Sequence, residues 1–215
     1  KSNKFWAFKQ MYLANFLIKK TSGLKFYKLL GTGAGAGFSL YPDFSTYSIL
    51  CVWDNFKSAN DFINNSHHSY KISQKAFSRN DYFLKPVHSH GKWDGINPFS
   101  ELIDSDFDKT KPIAIITRAT LNFGKLFEFW QSVPKASNAI KSAKGVSWFK
   151  GIGKVPFIQQ ATFSIWENLE SVTNFAYKNI NHSEIVKKTR KRKWYKEDLF
   201  SRFEIINKKT KVFNN

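Results

Sequence analysis

Residues 160–175 read QATFSIWENLESVTNF, and residues 47–62 read YSILCVWDNFKSANDF. The two stretches share Trp, Asn, Ser and Phe at the same relative positions, and the residue after Trp is acidic in both. The apolar run before Trp predicts a strand, and the Asn that follows is a typical helix N-cap. The coincident pairs, all at an offset of 113, are Trp53/Trp166, Asn55/Asn168, Ser58/Ser171 and Phe62/Phe175.

Three other blocks recur in the same order, which indicates an internal duplication. They pair residues 8–13 with 116–121, 23–28 with 145–150, and His68-Ser69 with His182-Ser183. We therefore predict an N-terminal repeat over residues 1–94, a linker over 95–111 and a C-terminal repeat over 112–215.

Each repeat is predicted to run strand, helix, strand, strand, helix, strand, which is the ferredoxin-like order. The predicted fold is α+β, with two tandem ferredoxin-like repeats forming a body of the dimeric α+β barrel type. The first helices are expected near 12–20 and 123–140, and later ones begin after Asn55 and Asn168 and near His68 and Ser183. The predicted strands are 5–10, 24–30, 45–53, 82–93, 112–118, 145–151, 158–166 and 199–206.

Charge and cysteine usage restrict the setting and the partners. The 215 residues carry a formal net charge of +18, which suits nucleic acid, an anionic membrane surface or an acidic protein. The single cysteine, Cys51, excludes an intramolecular disulfide and favours a reducing, cytoplasmic location. No run approaches the roughly 18 apolar residues of a membrane span.

Three motifs have both a functional and a simpler interpretation. The glycine-rich run 31–37 contains a loose dinucleotide pattern, but no helix start follows it, which favours a hairpin loop or lid. His88 and His90 would face the same way on a strand and share a metal, although no further ligand completes the site by spacing. The basic run 187–196 suits phosphate contacts, or a solvated helix face.

His182 and Arg118 are the candidates for redox chemistry. His182 begins a helical stretch, and a single histidine often holds haem iron, although a lone histidine is also commonly structural or solvated. Arg118 ends the apolar run 113–118, where a cation would bind a propionate or polarise bound oxygen. The alternative for Arg118 is an ordinary surface charge at a strand end.

Ten segments together resemble the spheroidene monooxygenase family, and they extend over nearly the whole chain. The most specific is Gln160–Glu167. The others are Gly23–Gly33, Thr117–Thr120, Phe129–Pro134, Gly151–Pro156, Phe175–Tyr177, His182, Thr189-Arg190, Trp194-Tyr195 and Leu199–Phe203.

The resemblance implies a haem oxygenase that places a keto oxygen on acyclic carotenoids with electrons from a ferredoxin. The related dimeric α+β barrel haem proteins bind haem b through a histidine of the C-terminal repeat, which implies His182 as the metal ligand. They also suggest a homo-oligomer. The implied catalytic residues are Arg118, Gln160 and Ser164, and the implied cofactor contacts are Trp148, Lys150, Thr162, Phe163, Trp166 and Tyr177.

Several functions remain open at the level of sequence. Histidine ligation gives less electron push than thiolate ligation, so peroxide-driven or dehydratase chemistry is an alternative to oxygen insertion. A non-catalytic haem-binding protein needs only the ligand and an apolar pocket, and a nucleic-acid-binding module would use residues 187–196. The favoured partners are a hydrophobic small molecule, a ferredoxin donor and a membrane surface bound peripherally, with no nucleic acid.

Overall fold

The computed structural model describes residues 2–35, 39, 41–155, 157–178, 188–189 and 191–213. Five helices and seven strands lie within these residues, with short 3-10 turns at Ser100–Leu102 and Phe123–Lys125. The helices are α1 Ser2–Ile18, α2 Phe56–Asn65, α3 His67–Ser73, α4 Leu126–Lys141 and α5 Leu169–Lys178. The strands are β1 Leu24–Gly33, β2 Pro42–Trp53, β3 Ser78–Gly91, β4 Ile113–Leu121, β5 Val146–Gly153, β6 Gln159–Trp166 and β7 Tyr195–Val212.

The elements from β4 to β7 form a ferredoxin-like arrangement. Strand β4 pairs antiparallel with both β6 and β7, and β5 pairs antiparallel with β6. Hydrogen bonding connects all seven strands in the order β2-β1-β5-β6-β4-β7-β3. The predicted α+β class is therefore confirmed.

The chain divides into two compact units. The first comprises Lys1–Gly31, Phe44–Phe83 and Ile206–Asn215, and the second comprises Thr32–Asp43 and Leu84–Ile205. The division falls inside strands β1, β2, β3 and β7, so the compact units are not the two sequence repeats. The boundaries at residues 94 and 112, and the barrel formed by two repeats, stay predictions.

Each unit has its own apolar core. In the first unit, Ala14 and Ile18 of α1 pack with Leu29 of β1, and Ile49 and Phe62 join them at the edge. In the second unit, one cluster lies under α5 and contains Ile113, Ile115, Trp166 and Val172. Another cluster lies under α4 and contains Leu121, Phe129, Val133 and Trp194.

The prediction of a strand at residues 5–10 was wrong, because this segment lies inside α1. Met11, Ala14 and Ile18 recur at helical spacing and face the core, and Ala, Gln, Met and Leu favour a helix. Residues 8–13 and 116–121, which match in sequence, therefore differ in conformation. No helix among the described residues is long and apolar enough to cross a membrane.

Candidate functional site

Strand β4 presents two different faces within the second unit. Ile113 and Ile115 pack under α5 and Leu121 packs under α4, so these alternate residues define a helix-side face. Ile116 and Arg118 point to the opposite face. Because directly paired residues of neighbouring strands share a face, the register of β4 assigns the side chains of β6 and β7 as well.

The predicted site residues divide between these two faces. Gln160, Thr162 and Ser164 pair with Ala119, Thr117 and Ile115 of β4, which puts all three on the helix-side face as their alternation predicts. Three other predicted residues share the face of Arg118. Phe163 pairs with Ile116, Lys150 pairs with Phe163, and Trp148 pairs with Ile165.

On the opposite face, Arg118 is held by two carboxylates. Its side chain is 2 % exposed, and it forms ion pairs with Glu197 and, at 3.3 Å, with Asp94. Its guanidinium also lies 5.5 Å from the centre of the Trp93 ring. Arg118 is therefore neither the surface charge that sequence allows nor an unpaired cation, since any added anion would compete with Glu197 and Asp94.

Glu197 links Arg118 to the turn that follows β3. The backbone N–H groups of Asp94 and Gly95 donate to its two carboxylate oxygens at 2.9 and 2.7 Å. Burial alone would raise the pKa of Glu197, but these hydrogen bonds and the Arg118 guanidinium lower the pKa below its usual value. The cluster therefore fixes the chain after β3 against the opposite face of the sheet.

The other residues on this face contact the end of the β1–β2 hairpin or each other. Lys150 donates to the Gly35 carbonyl at 2.7 Å and forms a 3.4 Å ion pair with Asp43. The rings of Trp148 and Phe163 lie 5.9 Å apart in an edge-on contact. The predicted hairpin is present, since the Ala34 N–H donates to the Tyr41 carbonyl, but residues 36–38 and 40 lie outside the described ranges.

On the helix-side face, Ser164 belongs to the core under α5. The Trp166 indole N–H donates to the Ser164 hydroxyl at 2.9 Å, and both side chains are buried. This contact satisfies the indole group, which would otherwise be costly to bury. The structure therefore assigns a packing role to Trp166 and Ser164, and their predicted roles in catalysis and cofactor binding stay predictions.

The same face is open around Thr117, in the middle of β4. Thr117 is exposed although its strand is paired on both sides and every neighbouring helix-side residue of β4 is buried. Thr162 of β6 and Phe200 of β7 flank it directly. We call Thr117, Thr162, Phe200, Arg202, His88 and His90 the Thr117 patch.

Three members of the patch, Thr117, Phe200 and Arg202, were not among the predicted site residues, and Arg202 is the charged one. It pairs with Ile115 and therefore lies on the helix-side face, 5.5 Å from the centre of the Phe200 ring. Its Nε atom is buried and has no hydrogen-bond partner among the described residues, and burial lowers the pKa of its guanidinium. The signal was an ionisable residue at an inward position of the apolar segment 199–203.

Two histidines and a tyrosine lie beside Arg202 and Phe200. The His90 ring stacks on Phe200 at 5.4 Å, and His88 approaches His90 with 3.3 Å between ring nitrogens. Burial, followed by the charges of Arg202 and His90, lowers the pKa of His88. Tyr177, near the end of α5, is 79 % exposed, and its charged form would raise the pKa of Arg202.

The metal predictions are tested only in part. His88 and His90 do face the same way, but no group of three His, Cys, Asp or Glu side chains among the described residues is arranged to hold a metal. His68 is buried against Phe62 in the first unit, where burial lowers its pKa. His182 lies outside the described residues.

The basic run that ends at residue 196 is described only in part. Lys188 lies 5.4 Å from the centre of the Trp194 ring, and Arg192 forms a 3.4 Å ion pair with Glu128. The backbone carbonyl of Thr189 accepts a hydrogen bond from the backbone N–H of Trp194. The described basic residues of the run, Lys188, Lys191, Arg192, Lys193 and Lys196, are all exposed, so both interpretations of the run stay predictions.

The protein is an α+β protein in which the elements from β4 to β7 form a ferredoxin-like arrangement. On the helix-side face of its sheet, the Thr117 patch combines hydroxyl, aromatic and cationic groups. The sequence of the chain is similar to those of spheroidene monooxygenases. It is 35% identical over 204 residues to the spheroidene monooxygenase of Cereibacter sphaeroides, covering 94% of this chain and 62% of that protein. It is 29% identical over 201 residues to that of Rhodobacter capsulatus, covering 94% and 83%.

The chain thus spans less than two thirds of the Cereibacter relative. Two solved structures, proposed monooxygenases of Fusobacterium nucleatum and Lactobacillus acidophilus, each cover 99% of this chain and match 91% of their own length. Their sequence identities are 10% and 12%, and their TM-scores are 0.44 and 0.42. No family model matches the chain.

Proposed function

We propose that this protein is a haem-dependent monooxygenase acting on a hydrophobic small molecule of the carotenoid class. The observation that supports it most is the similarity to two spheroidene monooxygenases over 94% of the chain. The segment Gln160–Glu167 largely coincides with strand β6, which contributes Thr162 to the Thr117 patch. The activity, the substrate class and a ferredoxin electron donor all belong to this proposal.

The Thr117 patch has the chemistry that a haem b would need. Haem is a flat apolar ring with two carboxylates, and the patch offers a flat aromatic surface at Phe200 and His90 beside a cation. Within the part of the chain that the structure describes, the buried Nε of Arg202 has no hydrogen-bond partner, and a carboxylate would satisfy it. On the opposite face, the Nε of Arg118 is also without a hydrogen-bond partner among the described residues, but the two terminal nitrogens of Arg118 already pair with carboxylates.

Each side chain then has a definite role. We assign Arg202 to bind a propionate, and Phe200 to cover the apolar ring and exclude water from it. Thr117 and Thr162 are paired across β4 and β6, and their hydroxyls would hold a polar atom or a water next to the ring. Bound haem would supply iron for oxygen activation, and His182 stays the predicted iron ligand.

The visible spectrum of protein expressed with a haem precursor tests the cofactor. A Soret band that is lost in His182→Ala supports haem bound through His182. His68→Phe is the matched control, because His68 occupies the equivalent position of the first repeat and its ring packs on Phe62. A protein that stays colourless with added hemin, or keeps an unchanged band in His182→Ala, contradicts the proposal.

Titration with hemin tests the role of Arg202 separately. An ionic hydrogen bond contributes about 1.5–3 kcal/mol, so Arg202→Gln should weaken hemin binding by roughly tenfold or more. The dimethyl ester of hemin, which lacks the carboxylates, should bind wild type and Arg202→Gln equally. Arg192→Gln is the control, since Arg192 is 56% exposed and pairs with Glu128. An equal loss of hemin affinity in Arg202→Gln and Arg192→Gln would show that Arg202 does not bind a propionate.

Turnover distinguishes an oxygenase from a protein that only binds haem. The haem-loaded protein is incubated with an acyclic carotenoid, reduced ferredoxin and isotopically heavy dioxygen. We expect a keto carotenoid that contains the heavy oxygen. A stable Soret band with no product under oxygen or peroxide would support a haem carrier instead.

A further inference from the structure

Helix α1 has apolar residues on both of its sides. One side is the core side, where Ala14 and Ile18 are fully buried. The other side is covered by large apolar residues that stay in solvent. Phe5, Phe8, Tyr12, Leu13, Phe16 and Leu17 are 63%, 53%, 69%, 47%, 59% and 46% exposed.

These six residues, which we call the α1 outer face, form one continuous stripe. Phe5, Phe8, Tyr12 and Phe16 follow at helical spacing, and the rings of Tyr12 and Phe16 touch at 5.5 Å. Surface apolar residues are usually scattered singly, so a stripe along a whole helix indicates a binding surface.

The charged residues of α1 and of the two positions that follow it have a single sign. Residues 2–20 contain four lysines, Lys4, Lys9, Lys19 and Lys20, and no aspartate or glutamate. Lys9 lies one turn after Phe5, with its ammonium 4.5 Å from the centre of that ring. Lys19 and Lys20 follow directly after the helix. The lysine stems thus extend the apolar surface and their ammonium groups stay at its rim.

We propose that the α1 outer face binds the surface of an anionic lipid membrane, with its aromatic rings inserted among the headgroups. Aromatic rings bordered by lysine, without acidic residues, are typical of helices that lie in the membrane interface. Pairing with the α1 of a second copy would set these lysines against each other, which disfavours that occupant. The proposal is independent of haem binding.

Vesicle co-sedimentation of the purified protein tests the proposal. The probes are vesicles of phosphatidylcholine alone and vesicles with phosphatidylglycerol added. We expect binding to the anionic vesicles that weakens with salt. Phe5→Glu/Phe16→Glu should lower the partition coefficient by at least about tenfold, since two inserted rings and the charge balance are lost.

The control is Phe123→Glu/Phe127→Glu, which makes the same change in charge at residues 81% and 79% exposed near the start of α4. It should bind vesicles within about twofold of wild type. Absence of binding to anionic vesicles overturns the proposal, and so does an equal loss in both variants. Light scattering that shows a dimer dissociated only by Phe5→Glu/Phe16→Glu, without vesicle binding, would assign the face to a second copy.

Discussion

A glycine directly precedes both β1 and β5, and each glycine packs against a serine in the first turn of the helix that follows the next strand. We call these two glycine positions the corners. Gly23 and Gly145 have φ of 75° and 81°, and their carbonyls accept hydrogen bonds of 2.8 Å from Asp54 and Glu167. A Cβ at Gly23 would lie 2.5 Å from a serine hydroxyl, and a Cβ at Gly145 would lie 2.2 Å from the equivalent serine. Both corners therefore require glycine for two reasons, its φ and the close serine.

The helices that follow also begin alike. The Asn55 side chain accepts from the Ser58 N–H, and the Asn168 side chain accepts from the Ser171 N–H, both at 2.9 Å. The matched sequence blocks thus form the same local interactions, which supports the inferred duplication. The two repeats differ instead in the residues on one face of the strand that leads into each helix, β2 in the first repeat and β6 in the second.

Strands β2 and β6, which precede the helix caps Asn55 and Asn168, differ in the polarity of one face. In β6 the positions on one face are polar, whereas the equivalent positions of β2 are mostly apolar. Ile49 of β2 packs with the α1 core, but its counterpart Thr162 borders the exposed Thr117. The pairs are Tyr47/Gln160, Ile49/Thr162 and Cys51/Ser164. One copy uses this face for its core, and the other uses part of it for the candidate site.

The largest expected difference between the copies concerns their tryptophans. Trp166 is 2% exposed and lies in the α5 core, whereas Trp53 is only partly buried, although both contact a Phe ring in a tilted arrangement at 5.1 Å. Trp166→Ala should lower the free energy of unfolding by about 3–5 kcal/mol, and Trp53→Ala by roughly half as much. Chemical denaturation measures both, and equal losses would contradict this ranking.

Alanine at the corner glycines should have the next largest effect. Gly145→Ala should cost about 2–3 kcal/mol, because φ is positive and the Ser171 hydroxyl is also held by Asn168 at 3.1 Å. Gly23→Ala should cost somewhat less, since its contact is looser. Gly124→Ala is the control, because its new Cβ meets nothing within 4 Å. A thermal melt in which all three variants agree would show that the corners impose no such constraint.

Sequence predicted the corners and most strands because their signals are local. The Asn caps, the apolar runs and the turn glycines each lie within a few residues of the structure they specify. The strand at 5–10 was mispredicted because α1 is apolar on both sides, so its helical period was obscured.

The site was harder to predict, because which residues meet depends on strand register. Gln160 and Thr162 were correctly put on one face by alternation alone. The separation of Arg118 from them, its pairing with Glu197 and the position of Arg202 beside His88 follow only from pairings distant in sequence. Such contacts have no local signal in a single sequence.

Each unit also contains an arginine held by an acid, a buried one in the second unit and a partly buried one in the first. In the second unit, hydrogen bonds keep the pKa of Glu197 below its unfolded value of about 4.3. The ionised Glu197 therefore contributes to the free energy of unfolding above that pH. This contribution is lost as the pH falls through the folded pKa. Glu197→Gln should cost about 1–2 kcal/mol at pH 7 and flatten the acid side of the stability curve.

Asp81→Asn in the first unit is the comparison, since Asp81 pairs with Arg79 at 3.0 Å. Asp81→Asn should destabilise the protein at pH 7. The loss of stability with falling pH that we attribute to Glu197 should still be present in this variant. Urea unfolding measured at pH 7 and near pH 4 separates the two variants. A Glu197→Gln protein that loses stability in acid as steeply as wild type would show that the Arg118 cluster does not titrate as described.

The smallest effect on stability should come from the substitution that gives one strand face of β6 the character of β2. Thr162→Ile gives β6 the residue that β2 has at Ile49, and it should change the free energy of unfolding by less than about 1.5 kcal/mol. Hemin binding and carotenoid turnover should nevertheless fall, because the hydroxyl beside Thr117 is replaced by a larger apolar group. Ile49→Thr should do the reverse, costing about 1–2 kcal/mol through the α1 core while hemin binding stays unchanged. If hemin affinity instead follows Ile49 and ignores Thr162, the candidate site belongs to the first copy.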